Sequence, residues 1–483
     1  MGILDGYEPR HVMRYFEEIT QIPHASGNEA ALCAYIRAHA ERFGYDCVED
    51  EAGNLLVYVP ATAGYGHVPP MLLQAHMDMV PAKREGSPHN FDTDPLKLHI
   101  EGHCLYADGT TLGADNAVGL VNMLALMEDS SVTHPPLELL FTVGEEVGMV
   151  GIRQVDFSKI SARRMLNMDC GDPDVMCVSC AGSAQCVARL PLRRIPVRGT
   201  ARVLSVEGLE GGHSGVVIDT GRASAIKLLG RALYRLREAL ELHIADAHCD
   251  RVFGITTHAR AVLVFHEADL PRAEEVLAEL LGELREEFGR TDPNLSLTLS
   301  PCAQAPAEML DAPSGQRLAE LLYLLPYGVT KRDCEERDVI LCSINAVRLE
   351  TGGEAECELM LRAPVDSIKW ELVRELKLLA RLCGGALEVL DSYSGWPYRA
   401  DSPLQALCHS VYERLNHQIL KTEKVNMCAE AGIVCGALPD MDIVGIAPWG
   451  RGAHTPEERL DLDTMLPFWT FLTALLEEMC SVA

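Results

Sequence analysis

The sequence predicts an α/β protein: a largely parallel sheet with helices on both faces, interrupted by an inserted α+β domain. Three observations carry this. Helical and strand patterns alternate through the first third, the rhythm of parallel sheets built from βαβ units. The middle mixes alternating strands with amphipathic helices in a different style. After a turn-rich stretch, Ser392 to Pro403, the style of the first third resumes. The expected division is a catalytic domain in two parts, 1–184 and 391–483, around an inserted domain at 185–390.

Taken in order, Pro9 opens a helix with Val12, Met13, Phe16 and Ile19 on one face. A second helix covers 29–43, with Leu32, Tyr35, Ile36, Ala40 and Phe43 at helical spacing and Gly44 as its stop. Leu55 to Val59 and Met71 to Ala75 are short apolar strands, and Asn116 to Met127 is a mostly buried helix. Leu137 to Val143 and Met165 to Met168 are further buried strands. In the middle, Ala201 to Val206, Ala261 to Phe265 and Leu295 to Leu299 read as strands between helices at 222–243 and 271–288. Pro403 to Leu415 is a helix, Ile443 to Ile446 a strand, and 464–480 the final helix.

With 483 residues the chain exceeds one ordinary core. Hydrophobic residues at 48% and charged residues at 23% fit a globular enzyme. The charge balance, 42 − 70 = −28, disfavours nucleic acid and anionic membranes and leaves cationic or zwitterionic small molecules as partners. The 17 cysteines are odd in number and form no framework, and no uncharged apolar stretch is long enough to span a membrane. Met1-Gly2-Ile3-Leu4-Asp5 lacks the start of a signal peptide, and Gly6 breaks the myristoylation pattern. The expectation is a cytoplasmic protein with free thiols, a monomer or homodimer.

Four buried strands run into acidic or imidazole groups. Met71 to Ala75 meets His76-Met77-Asp78, and Leu137 to Val143 meets Gly144-Glu145-Glu146. Met165 to Met168 meets Asp169, and Ile443 to Ile446 leads to Gly452-Ala453-His454. Gly113-Ala114-Asp115-Asn116 precedes a helix between the first two. Ligands of open α/β sheets bind at the carboxyl ends of strands. Carboxylates crowded there without cations would repel or take up protons. Histidine and carboxylate ligands without thiolate point to a catalytic, zinc-type site. The supply fits two Zn2+ ions, with Mn2+ or Co2+ as other divalent ions the donors accept. His76 and Asp169 serve one ion, Glu146 and His454 the other, and Asp115 bridges. Asp78 would orient the His76 ring, and Glu145 would take a proton from a metal-activated water. Each signal alone has a plainer reading: a His-x-Asp pair in packing, a solvated Glu pair, an Asp helix cap. Their joint placement after apolar strands favours the metal site.

Longer stretches carry a resemblance. Leu73 to Val80 resembles the first metal motif of the zinc dipeptidases. Asp108-Gly109-Thr110-Thr111-Leu112-Gly113-Ala114-Asp115-Asn116 resembles the bridging-aspartate motif of their aminoacyl-histidine (cytosol non-specific) dipeptidase branch. His134 to Glu138, Phe141 to Glu146, Asn167-Met168-Asp169, Gly211-Gly212-His213-Ser214-Gly215 and Arg451 to Arg459 are similar to that branch in the same order. The resemblance implies a metallopeptidase acting on short peptides, with the ligand roles given above. It also implies that the middle domain is a lid bringing His213 to the substrate carbonyl.

Three departures bear on specificity. The family's Asn-Ala-Ile-Pro-Arg element, whose Arg is thought to meet the substrate carboxylate, matches Phe253-Gly254-Ile255-Thr256-Thr257 here. Glu430 to Gly436 stands in place of the family's His-Ala-Gly-Leu-Glu-Cys-Gly, and Ser224 stands where an Asn is common. Cys177 and Cys180, flanked by Cys170 and Cys186, read as buried thiols rather than a metal motif, and His243 and His248 read as surface residues near a helix end. The competing functions are an amidohydrolase for N-acyl or related amides, using the same site, and a binding protein that kept the fold without activity.

Overall fold

The computed structural model describes residues 2–252, 254–448 and 450–481. They divide into two compact units. The first comprises the chain up to Cys180, Trp396–Lys424 and the chain from Ala429 onward; the second comprises Ala181–Gly395 and Val425–Cys428.

In the first unit the strands run in the order Asp46–Glu49, Leu55–Val59, Leu137–Thr142, Met71–His76, Arg164–Asn167, Asp442–Gly445. The last four are mutually parallel and the first two pair antiparallel, so the sheet is parallel where it is central and mixed at one edge. Met71–His76 and Leu137–Thr142 are buried at every position, as strands covered on both faces must be. Asp442–Gly445 enters beside Arg164–Asn167 with Val444 opposite Leu166, which joins the C-terminal segment to the N-terminal sheet.

The helix Ala114–Glu128 is buried from Asn116 to Met127. It approaches the Met71–His76 strand at Gly119, where an added Cβ would lie 2.6 Å from the Ala75 Cβ and 2.6 Å from Asn116 Oδ1. Only glycine permits that approach. Regular helix geometry fails at Asp115 (φ −82°, ψ 102°) and Asn116 (φ −117°, ψ 39°), so the Asp115 side chain leaves the helix axis before the first regular turn.

The second unit has a four-stranded antiparallel sheet, Leu242–His248, Ala259–Phe265, Thr200–Glu207, Ser296–Pro301, accompanied by the helices Ala225–Ala239 and Leu270–Phe288. Further antiparallel pairing joins the later part of Val175–Pro191 to Glu354–Ala363 and Ala386–Tyr393, and Ile340–Thr351 to Glu354–Ala363. The helix expected over 222–243 ends at Ala239. No glycine or proline marks that end, and Leu240 and Leu242 continue its apolar pattern into the next strand. His243 and His248 are therefore half-buried residues of the edge strand, not residues at a helix end, and His243 Nδ1 lies 3.0 Å from the Leu310 carbonyl oxygen.

Cys177 and Cys180 lie buried in Val175–Pro191, and the cysteines are free thiols. Among the described residues, no helix is long and apolar enough to cross a membrane.

Candidate metal centre

Parallel strands deliver their carboxyl ends to one edge, and five of the expected ligands meet there. Three sets of ligating atoms lie within 4.8 Å of one another: His76, Asp115 and Asp169; His76, Glu145 and Glu146; Asp115, Glu146 and His454. His76 closes its strand, Asp169 lies two residues beyond Arg164–Asn167, and Gly144, at φ 61°, turns the chain into Glu145 and Glu146. His454 sits on a loop after Asp442–Gly445 at φ 66°, a left-handed conformation that a non-glycine residue adopts at a cost of about 1 kcal/mol or more.

His76 Nε2 lies 3.0 Å from Asp115 Oδ1 and 3.4 Å from Asp169 Oδ1. His454 Nε2 lies 2.8 Å from Glu146 Oε1 and 3.4 Å from Asp115 Oδ2. Asp115 thus offers one oxygen to each imidazole. The other His76 nitrogen, Nδ1, donates to the Asp78 carbonyl at 2.9 Å, which leaves Nε2 with its lone pair facing carboxylates. That arrangement is repulsive unless a proton or a cation lies between. Asp78 is buried. Its carboxylate accepts from the Glu145 N–H (3.0 Å), the Glu146 N–H (3.2 Å) and Ser26 Oγ (2.8 Å), so it also fixes the backbone of the glutamate pair. Against its burial, those donors and His76 hold Asp78 below the usual carboxylate range.

Glu146 Oε1 is buried and has no hydrogen-bond partner, although His454 Nε2 is close. Two acceptor atoms this close need a cation or a proton between them. Two imidazoles with carboxylates and no thiolate also fit a catalytic divalent-cation site. The protonation of the cluster agrees. Burial pushes Asp169 up to about 7, with Asp115 adding to the rise and His76 opposing it. Burial, Asp169, Glu430 and Glu146 together hold Glu145 well above the carboxylate range against the pull of His76. Asp115 and Glu146 raise His454 to about 10. The carboxylates of Asp169, Asp115 and Asp78 likewise hold His76 high despite its burial. Asp115, against its burial, is held far below the ordinary range by His454 and His76. Without cations, protons take their place.

The profile of peptidase family M20/M25/M40 matches residues 72–478, most of the chain. The chain belongs to that family. Peptidases of the M20/M25/M40 family are metal-dependent, and this one is a hydrolase that carries candidate metal-ligand groups. It is 33% identical over 483 residues to the cytosol non-specific dipeptidase of Escherichia coli (strain K12), covering 99% of both chains. It is similar to the crystal structure of aminoacylhistidine dipeptidase from Vibrio alginolyticus, with a TM-score of 0.89, 30% identity, and 99% and 98% of the two chains covered. A tripeptidase from Staphylococcus aureus, at 16% identity and a TM-score of 0.57 over 98% of this chain and 99% of that one, shares the fold.

Not every expected site residue of the peptidase lies in the first unit. His213 belongs to the second, on an exposed turn where Gly211 (φ 64°) and Gly212 (φ 117°) precede it and Gly212 bridges to Ile255. Two departures from the family pattern prove to be neighbours in this unit. Ser224 Oγ and Thr256 Oγ1 are buried 3.0 Å apart, and the Thr256 carbonyl accepts from the Ala225 N–H at 2.9 Å. Phe253, the first residue of that stretch, lies outside the described residues.

Two buried carboxyls escaped assignment from sequence. Glu430 is fully buried; its Oε2 accepts from Gln74 Nε2 and from Thr142 Oγ1 (2.6 Å), and burial pushes it up to about 8. Gln74, Thr142 and Asn167 are polar residues at the carboxyl-terminal ends of largely apolar strands, shortly before His76, Glu145 and Asp169, and that was the available signal. Glu458 was visible only as part of the stretch Arg451 to Arg459.

Proposed function

We propose that the chain hydrolyses dipeptides and other short peptides with a free amino terminus, at two divalent cations, zinc foremost. The observation that carries the reading is Asp115, whose two oxygens face different imidazoles, as a carboxylate bridging two ions would. The substrate class is supported by the names of the full-length relatives, a cytosol non-specific dipeptidase and an aminoacylhistidine dipeptidase. The first name and the free thiols also support a cytosolic location.

In this reading His76 and Asp169 would hold one cation, Glu146 and His454 the other, and Asp115 would serve both. When bound, the cations supply Lewis acidity and make water acidic enough to be deprotonated near neutral pH. Glu145 accepts the proton of the attacking water on its carboxylate and delivers it to the departing amine nitrogen. Its half-buried position beside His76 and Glu146 suits a group that must keep a proton between those two events. Asp78 keeps the His76 ring oriented through Nδ1. To His213, on the exposed turn of the second unit, we assign the donation of a hydrogen bond to the oxyanion.

Turnover of a panel of dipeptides, their C-terminal amides and N-acyl amino acids, with cation content measured in parallel, tests the reading. Cleavage of dipeptides supports it. Cleavage confined to N-acyl substrates replaces it with the amidohydrolase reading. Because Thr257 stands where the family pattern has the Arg thought to meet the substrate carboxylate, and Ser224 where it has an Asn, the amides should be cleaved more readily than that pattern implies.

A further inference from the structure

The cation ligands differ in how they are held. His76 closes a buried strand, whereas His454 sits on a loop with its side chain half exposed. That loop connects the short paired strands Gly450–Arg451 and Arg459–Asp461. It is internally braced: the Thr455 N–H and Oγ1 both donate to the Gly452 carbonyl, and the Glu458 N–H donates to the Thr455 carbonyl at 3.0 Å. The base of the loop is tied down as well, by pairing of Arg459–Asp461 with Cys104–Ala107 and by Arg451 bonded to Asp172, but neither link reaches the Asp115 turn itself.

Glu458 ties the loop directly to that turn. It is buried, and its Oε2 accepts from the N–H groups of Leu112 (2.8 Å) and Gly113 (2.9 Å), while Oε1 faces the Asp115 N–H at 3.3 Å. These donors come free because Gly113 lies at φ 70° and helix geometry fails at Asp115 and Asn116. Successive N–H groups of this kind form an anion-binding nest, and a carboxylate seated in one makes charge-assisted bonds. Another link from this loop, Glu457 with Arg84 at 3.5 Å, is exposed on both sides and contributes little.

We infer that Glu458 is a positioning residue that clamps the His454 loop to the Asp115 turn, and so sets the affinity of the cation shared by Asp115, Glu146 and His454. The inference rests on the two-cation reading above. The cation between His76 and Asp169 depends on strand ends and should be much less sensitive.

The test compares wild type, Glu458→Ala, Glu458→Gln and His454→Ala. Zinc per chain and zinc affinity are measured by chelator competition, and amide hydrogen exchange of residues 112–115 is followed in the metal-free proteins. Glu458→Ala should weaken one zinc site by roughly 10- to 100-fold, the range for loss of an outer partner of a metal ligand. The other site should keep its affinity. His454→Ala should weaken the same site, and exchange at Leu112 and Gly113 should accelerate in Glu458→Ala. Glu458→Gln, whose carbonyl oxygen can keep the Leu112 and Gly113 bonds, should recover part of the affinity. Wild-type affinity at both sites in Glu458→Ala, or equal weakening of both, overturns the inference. If wild type itself takes up a single zinc, the two-cation reading falls, and unchanged exchange at Leu112 and Gly113 would then overturn the clamp as well.

Discussion

At Asp115 one side chain answers to both imidazoles, and its removal should be felt by both cations. Asp115→Ala is expected to retain less than one equivalent of zinc after desalting; a variant that keeps two equivalents and normal turnover contradicts the bridging role. Glu145 makes the opposite case. Glu145→Gln preserves shape and removes the base, so zinc content should stay at the wild-type level while turnover falls by about 100-fold or more. Zinc loss in that variant would mark Glu145 as a ligand instead. His76, Asp115, Glu145, Glu146, Asp169 and His454 were legible in the sequence because each follows an apolar strand or precedes a buried helix, and chain order alone puts them on one edge of a parallel sheet. Glu430 and Glu458 were not legible in this way. Their partners are Gln74, Thr142 and the N–H groups of 112–115, all remote in sequence, and a Glu in a C-terminal loop or helix gives no local sign of being buried.

Among the elements, the helix Ala114–Glu128 carries most of the geometric demand, since it brings Asp115 to His76. Gly119→Ala would place a methyl 2.6 Å from the Ala75 Cβ and 2.6 Å from Asn116 Oδ1. Helix and strand must then separate. Overpacking of this kind costs about 1–3 kcal/mol, so a lower thermal midpoint is expected, with weaker zinc binding because Asp115 moves with the helix. Zinc affinity unchanged in a destabilised Gly119→Ala protein would show that the Asp115 turn is held independently of helix packing. The central strands and this helix were readable because burial on all sides leaves continuous apolar runs. The overrun at Ala239 has the converse cause: when helix and following strand share an apolar pattern and no glycine or proline intervenes, periodicity does not show where one stops.

For the molecule as a whole, the buried charge sets how stability follows pH. In the metal-free chain Asp169 and Glu430 hold protons to about 7 and 8, and His454 to about 10. Each value lies above that of the unfolded chain, so the folded state binds the extra protons. Their stabilisation is present in mild acid and is lost as pH rises through these values. Asp115, held low, acts in the other direction only in stronger acid. The buried His24, His39 and His134, held low by burial, gain stability as pH rises through the ordinary imidazole range, so the metal-free protein should lose thermal stability chiefly from about pH 7 to about pH 10. Zinc replaces those protons, and its stabilising effect should grow over the same interval. Melting curves at several pH values, with and without chelator, measure this; a metal-free midpoint that rises with pH over that interval would contradict it.

The strand Asp442–Gly445, seated beside Arg164–Asn167, has a consequence for synthesis on the ribosome. Every strand of the second unit's four-stranded sheet is made before Asp442 emerges, so that sheet can form while the first unit is still unfinished. Throughout that interval Arg164–Asn167 presents an open apolar edge, the kind of surface that recruits other chains. A nascent or prematurely terminated chain also lacks His454 and Glu458, and with them part of the expected cation cradle. Peptide cleavage at this site thus waits until the chain has been made through Glu458.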